Sequence, residues 1–144
     1  HWSVYAYGIG TVADSLCAVK KFIFDEKKIT MEEMYDALQK NFEGYEEMQA
    51  MLLKETPSYG NGIDEVDDIA NDVLSHFNEA VMDLNKKAKT DKFVSTLFGY
   101  FFHIYHGEIA GATPDGRMKG EAFSDSMGPS QGRDEQGPTR LFFI

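Results

Sequence analysis

Apolar positions recur in regular rhythms along most of the 144 residues, and the regularity stops near position 107. Trp2 to Tyr7 alternates and is rich in aromatics, which predicts a strand. Gly8-Ile9-Gly10 then lets the backbone turn, and Thr11 with Asp14 three residues on has the spacing of a reciprocal helix cap. Val12, Leu16, Val19 and Ile23 fall on one face of the helix that follows, with Cys17 beside this stripe. A second cap, Thr30 with Glu33, opens a helix striped by Met31, Met34, Tyr35, Leu38 and Phe42. Gly44 interrupts the stripe, and Tyr45, Met48 and Leu52 resume it. Pro57 and Gly60-Asn61-Gly62 mark a loop.

The longest predicted helix runs from Asp64 to Asn85, with Val66, Ile69, Val73 and Phe77 expected to be buried and Ala70, Ala80, Val81 and Leu84 on the same stripe. Acidic residues crowd its first turns, and Lys86, Lys87 and Lys89 follow its end, which complements the helix dipole. Phe93 to His106 turns aromatic and β-branched and reads as a buried strand. Residues 107–138 hold seven of the thirteen glycines and three of the four prolines, so they read as one long loop. A loop of that length with no element of its own is functional or wraps a larger body. The chain shows no internal repeat.

Composition narrows the classes. With 42% hydrophobic and 13% aromatic residues the chain can bury a core, and its length fits one domain. A formal charge of −10 and a pI near 4.7 argue against nucleic acid or an anionic membrane surface as partner. The single cysteine, Cys17, excludes an intramolecular disulfide or a Cys-rich zinc site and fits a reducing, cytoplasmic setting. No apolar run approaches the roughly 20 residues that span a bilayer, and the longest, Phe98 to Tyr105, is interrupted by Gly99 and His103. No signal peptide opens the chain. Both ends read as cut, because it begins on His1 and stops on Leu141-Phe142-Phe143-Ile144, which would template strand pairing if exposed.

Candidate chemistry is sparse. Cys17 lies on a helix with no neighbouring histidine in sequence, and a free cysteine is far more often core than nucleophile. His103 and His106 are three apart, a metal-binding spacing on a helix, but on a strand they point to opposite faces. Asp64, Glu65, Asp67 and Asp68 lack the alternation and the glycine of a calcium loop. No glycine run is followed by Gly-Lys-Ser/Thr, which excludes a phosphate loop. Thr113-Pro114-Asp115-Gly116-Arg117 has the chemistry of a tight turn, after which the Arg117 fork can anchor the loop on backbone carbonyls or a carboxylate. Residue chemistry alone supports only an α/β or mostly helical module.

Four blocks in fixed order add to this reading. They are Val12-Ala13-Asp14-Ser15-Leu16 with Ala18-Val19-Lys20-Lys21; Glu26-Lys27-Lys28-Ile29-Thr30-Met31-Glu32-Glu33 leading to Asn41-Phe42-Glu43-Gly44-Tyr45-Glu46-Glu47; Tyr59-Gly60-Asn61 with Val66-Asp67; and Gly111-Ala112-Thr113-Pro114-Asp115-Gly116-Arg117 with Gly132-Arg133-Asp134 and Gly137-Pro138-Thr139. Over about residues 8–139 the set resembles glycyl radical enzymes of the pyruvate formate-lyase-like family, in the region between their catalytic-cysteine and glycyl loops. The second block looks closer to the glycerol/diol dehydratase and C–X lyase branch than to pyruvate formate-lyase proper.

The resemblance implies an α/β fold, in which residues 1–144 are a partial pyruvate formate-lyase-type domain truncated at both ends. This segment would supply outer helices, one or two strands and the long loop of a ten-stranded barrel. It implies a radical-based lyase, dehydratase or formate acetyltransferase acting on a small molecule, with a protein glycyl radical installed by a radical-SAM activase. The cysteine and glycyl blocks themselves do not occur in this sequence. No residue is therefore assigned a catalytic, cofactor-binding or metal role, and the segment is expected to be inactive alone and to need the rest of the barrel. The motif residues given structural roles are Asp14, Ser15, Thr113, Pro114, Asp115, Gly116, Arg117, Gly132, Arg133 and Asp134. The competing reading is a stand-alone helical interaction module derived from such an enzyme and lacking its activity.

Overall fold

The structure, a computed structural model, describes residues 1–89, 91–97 and 101–137. Its order is β1 (Trp2–Ala6), α1 (Ile9–Val19), a π-helical turn (Lys20–Asp25), α2 (Met31–Gln39), α3 (Glu46–Glu55), α4 (Asp64–Lys87), β2 (Phe93–Leu97) and α5 (Phe102–Ile109). The two strands pair in parallel, Trp2 opposite Phe93 through Ala6 opposite Leu97. A parallel pair demands a long crossover, and here α1 to α4 supply it.

Two apolar clusters hold the helices together. Ile9, Ala13 and Cys17 of α1 meet Tyr59 and the Val66 and Ala70 face of α4, while Ala18, Phe22, Ile29, Met34, Ala37, Phe42 and Leu52 join the π-turn to α2 and α3. Small residues on the inner face of α1 let α4 approach closely. The predicted stripe on α1 is therefore wrong in its face: Val12 and Leu16 stay 40% and 46% exposed, and Ala13, Cys17 and Ala18 are the buried set. The predicted cap of α1 is also corrected. The helix starts at Ile9 after Gly8, whose φ is 78°, and Thr11 and Asp14 bond to distant segments instead of to the helix end.

The Thr30–Glu33 capping box is present in full: Glu33 N donates to Thr30 Oγ1 at 3.1 Å and Thr30 N to Glu33 Oε2 at 2.8 Å. Within its stripe Met34 and Phe42 are buried, but Met31 and Tyr35 face outward and Ala37 takes the inner position. The helix expected over 64–85 is continuous and slightly longer, with Val66 fully buried, Ile69, Val73 and Phe77 half-buried, and Ala80 and Leu84 exposed.

Phe93 to His106 is not one strand. Among the described residues of that span only Phe93–Leu97 is extended, and Phe102–Ile109 is helical, so His103 and His106 sit on a helix after all. Aromatic content favoured a strand, but local preference yields to tertiary packing here. Among the described residues no helix is long and apolar enough to cross a membrane. From Ala110 to Gly137 there is neither helix nor strand, as the glycine and proline content requires. Leu141–Ile144, read as an apolar end, lie outside the described residues.

Candidate functional site

The long loop runs back across the helices and closes a buried polar junction. Its fixed point is the Thr113–Arg117 turn. Gly116 N donates to Thr113 O at 3.0 Å and Thr113 N to Arg117 O at 2.9 Å, with Gly116 at φ 95°, a conformation a side chain would strain. The Asp115 carboxylate is 2% exposed and accepts from Thr113 Oγ1 at 2.6 Å and from Ser15 Oγ at 3.3 Å.

Arg117, 5% exposed, spreads its fork over the loop's own backbone. Nη1 donates to Glu121 O at 2.7 Å, Met118 O at 3.0 Å and Gly107 O at 3.4 Å, Nη2 donates to Gly111 O, and Nε donates to Thr113 Oγ1 at 3.1 Å. The guanidinium also lies 4.2 Å from the Phe123 ring centroid. Burial lowers its pKa, opposed by Asp115 and Glu121. These bonds hold the loop against α5 so closely that a Cβ on Gly107 would meet the Glu121 carbonyl and come within 2.8 Å of Ala122 Cα.

Three further ties attach the loop to α1 and to the segment between α3 and α4. Thr11 N donates to Ser124 Oγ at 3.0 Å and Ser124 N to Thr11 Oγ1 at 2.9 Å, a reciprocal pair across 113 residues. Arg133 Nε donates to Ser58 Oγ at 2.8 Å and Nη1 to Asp115 O at 2.9 Å. Asn61 Nδ2 donates to Arg133 O at 2.7 Å, while its Oδ1 accepts Glu135 N at 2.8 Å and Gln136 N at 3.1 Å. Below them Asp14, 0% exposed, accepts Tyr59 N at 2.7 Å through Oδ1. Burial, outweighing the Tyr59 amide and Arg133, pushes the Asp14 pKa up to about 7.

The structure thus gathers Asp14, Ser15, Thr113, Asp115, Gly116, Arg117 and Arg133 into one cluster. Pro114 borders a separate apolar hollow of about 290 Å³ beside Val12 and Leu16. Gly132, at φ 74°, turns the chain ahead of Arg133, and Asp134 points outward. Asn61, Ser58, Ser124 and Thr11 complete the junction, although no local pattern marked them for it. A cleft of about 800 Å³ opens above, lined by Thr11, Ser58, Asn61, Asp115, Arg117 and Arg133 among others.

These groups hydrogen-bond and position. None of them is an activated nucleophile. Cys17 is buried between α1 and α4, and burial, with Glu65 and Asp14, pushes its pKa up to about 11, which keeps it a thiol. The two α5 histidines diverge despite their helical spacing, His103 Nδ1 lying 3.5 Å from Asp125 Oδ1 and His106 Nδ1 bonding the Tyr7 hydroxyl. Among the described residues no group of three His, Cys, Asp or Glu side chains could hold a metal ion.

The profile of the pyruvate formate lyase-like family matches residues 2–107. The chain belongs to that family. It is 38% identical over 141 residues to an isethionate sulfite-lyase of Bilophila wadsworthia, covering 93% of this chain and 16% of that protein. It is 37% identical over 142 residues to trans-4-hydroxy-L-proline dehydratase of Clostridioides difficile, covering 96% and 17% respectively. The glycerol-bound structure of the B12-independent glycerol dehydratase from Clostridium butyricum superposes with a TM-score of 0.86 at 38% identity, over 96% of this chain and 18% of that one. The chain therefore spans about one sixth of the length of the curated relatives it matches.

Proposed function

We propose that this chain is a wall-forming portion of a glycyl radical dehydratase or lyase that acts on a small molecule. The observation that carries it is the junction. Sequence blocks up to 100 residues apart converge on one loop-anchoring cluster, within a fold that superposes over 96% of its length on a dehydratase. In this reading β1 and β2 belong to a larger α/β barrel, α1 to α4 lie on its outside, and the long loop is held rigid against them. When complete, the enzyme's glycyl radical, generated by an activase, supplies the hydrogen-atom chemistry in the cytoplasm. This chain's residues fix backbone and exclude water beside it, since such intermediates need a closed, dry site.

The test is a chimera in which this chain replaces the matching segment of the trans-4-hydroxy-L-proline dehydratase. After anaerobic activation the chimera is expected to show the glycyl radical doublet by electron paramagnetic resonance and to retain dehydration. The isolated chain, treated identically, is expected to show neither. A folded chimera without radical, or a doublet from the isolated chain, overturns the proposal.

A further inference from the structure

Asp14 and Asp115 are two buried acids beside Arg133, whose charge acts on the Asp14 carboxyl and whose Nη1 donates to the Asp115 backbone carbonyl. Arg133 makes no ion pair with either of them among the described residues, because its Nε and Nη1 are given to Ser58 Oγ and to the backbone carbonyl of Asp115. Arg133 Nη2 and Asp14 Oδ2 are both buried without a hydrogen-bond partner of good geometry, and the Ser130 hydroxyl, just ahead of Arg133, also acts on the Asp14 carboxyl and favours its ionised form. A fully buried carboxylate without its second partner is costly when ionised, and one donor nearby is free to answer it.

We propose that Asp14 is a proton-operated latch for the strap Gly132–Gln136. Protonated, Asp14 leaves Arg133 seated on Ser58 and Asp115, and the strap stays pinned through Asn61. Ionised, it draws the free edge of the Arg133 fork toward Oδ2. That turn pulls Nε off Ser58 and loosens the bonds from Asn61 to Arg133, Glu135 and Gln136.

The charged neighbours agree with a transition near neutrality. Arg133 favours the carboxylate and Asp115 opposes it, both from the long loop. Cys17 on the same helix stays neutral, and from α4 Glu65 acts on Cys17 and Asp67 on Tyr59. The Asp14 pKa stands at about 7 against an ordinary 3.8. A folded pKa above the unfolded one means that the folded chain holds the extra proton. The stabilisation is therefore complete below about 4 and lost as pH rises through 7.

Carbon-13 NMR of the Asp14 carboxyl in the whole 144-residue chain tests this, the signal being assigned by its loss in Asp14→Asn. The expected midpoint is about 7, moving up in Arg133→Gln and down in Asp115→Asn. Amide exchange at Glu135 and Gln136, corrected for its intrinsic pH dependence, is expected to speed several-fold between about pH 6 and pH 8, and Asp14→Asn is expected to abolish that excess. Should Arg133→Gln not fold, Arg133→Lys, which keeps charge but not the fork, is expected to shift the midpoint less while still freeing the strap. A midpoint near 4, or exchange at Glu135 and Gln136 with the same pH response in Asp14→Asn, overturns the latch.

Discussion

Residues 110–137 contain no helix or strand, yet they bury Asp115 and Arg117 almost completely, whereas α5 is a regular helix that leaves Phe102, Ile104, Tyr105 and Ile109 exposed. The loop satisfies its backbone through side chains: the Arg117 fork takes three of its carbonyls and Gly107 O of α5, and Asn61 takes one carbonyl and two amides. Burial without a ladder is possible only because those partners are present. The α5 helix meets most of its backbone needs within itself, lends His103 O and Gly107 O to the loop, and has apolar area left over. Order in one region comes from polar satisfaction inside the chain, and the other offers a surface that apolar cover would complete.

The largest effect is expected where polar satisfaction is concentrated. Arg117→Ala strips four carbonyls of a charged donor at once and should destabilise the chain by about 3 kcal/mol, measured by urea unfolding, with protease cleavage appearing between Gly107 and Gly137. Arg117→Lys should recover little, since a single ammonium cannot reach the same set. Stability within about 0.5 kcal/mol of the parent would mean that the loop is held mainly by Arg133 and Asn61.

Next comes the seam where the two regions touch. The Gly107 Cα faces the Glu121–Ala122 backbone, so Gly107→Ala must move main chain and not a flexible side-chain tip. A cost of about 1–3 kcal/mol is expected, read as a lower unfolding midpoint with an unchanged denaturant slope. If the variant is as stable as the parent, the loop does not pack on α5 this tightly.

Legibility in the sequence divided along the same line. The Thr30–Glu33 cap and the Thr113–Arg117 turn could be read because each closes within five residues. Thr11 and Asp14 have equally good cap spacing but spend their side chains on Ser124 and Tyr59, 113 and 45 residues away. Nothing local distinguishes the two uses. For α1 the apolar stripe misled because Val12 and Leu16 look inward by size, while the packing surface is built from Ala13, Cys17 and Ala18. In α5 the aromatics suggested a strand, but the Tyr7–His106 bond and ring stacking, and the Phe123 N–H donating to His103 O at 3.2 Å, hold a helix there. The ordered blocks marked which residues would matter, and the structure shows them meeting at one place, though Asn61's share could be seen only in three dimensions.

The smallest expected effect on stability falls on the exposed aromatic face, and it separates the regions most sharply. Ile104, Tyr105 and Ile109 carry large side chains that face outward from α5. Removing side chains that are not buried costs little, so Ile104→Ser with Ile109→Ser should change unfolding free energy by less than about 1 kcal/mol in total, part of it from the poorer helix propensity of serine. Their effect should appear in association. Exposed apolar side chains on one helix promote self-association, and replacing two of them with hydroxyls should shift sedimentation velocity profiles toward monomer at the same protein concentration. In the chimera with the dehydratase the same pair should act oppositely, weakening the assembled enzyme, since the proposed barrel would cover the face and bury the hydroxyls without partners. A double variant that unfolds the isolated chain would show that α5 is part of this segment's own core; one that leaves the chimera untouched would show that nothing covers it.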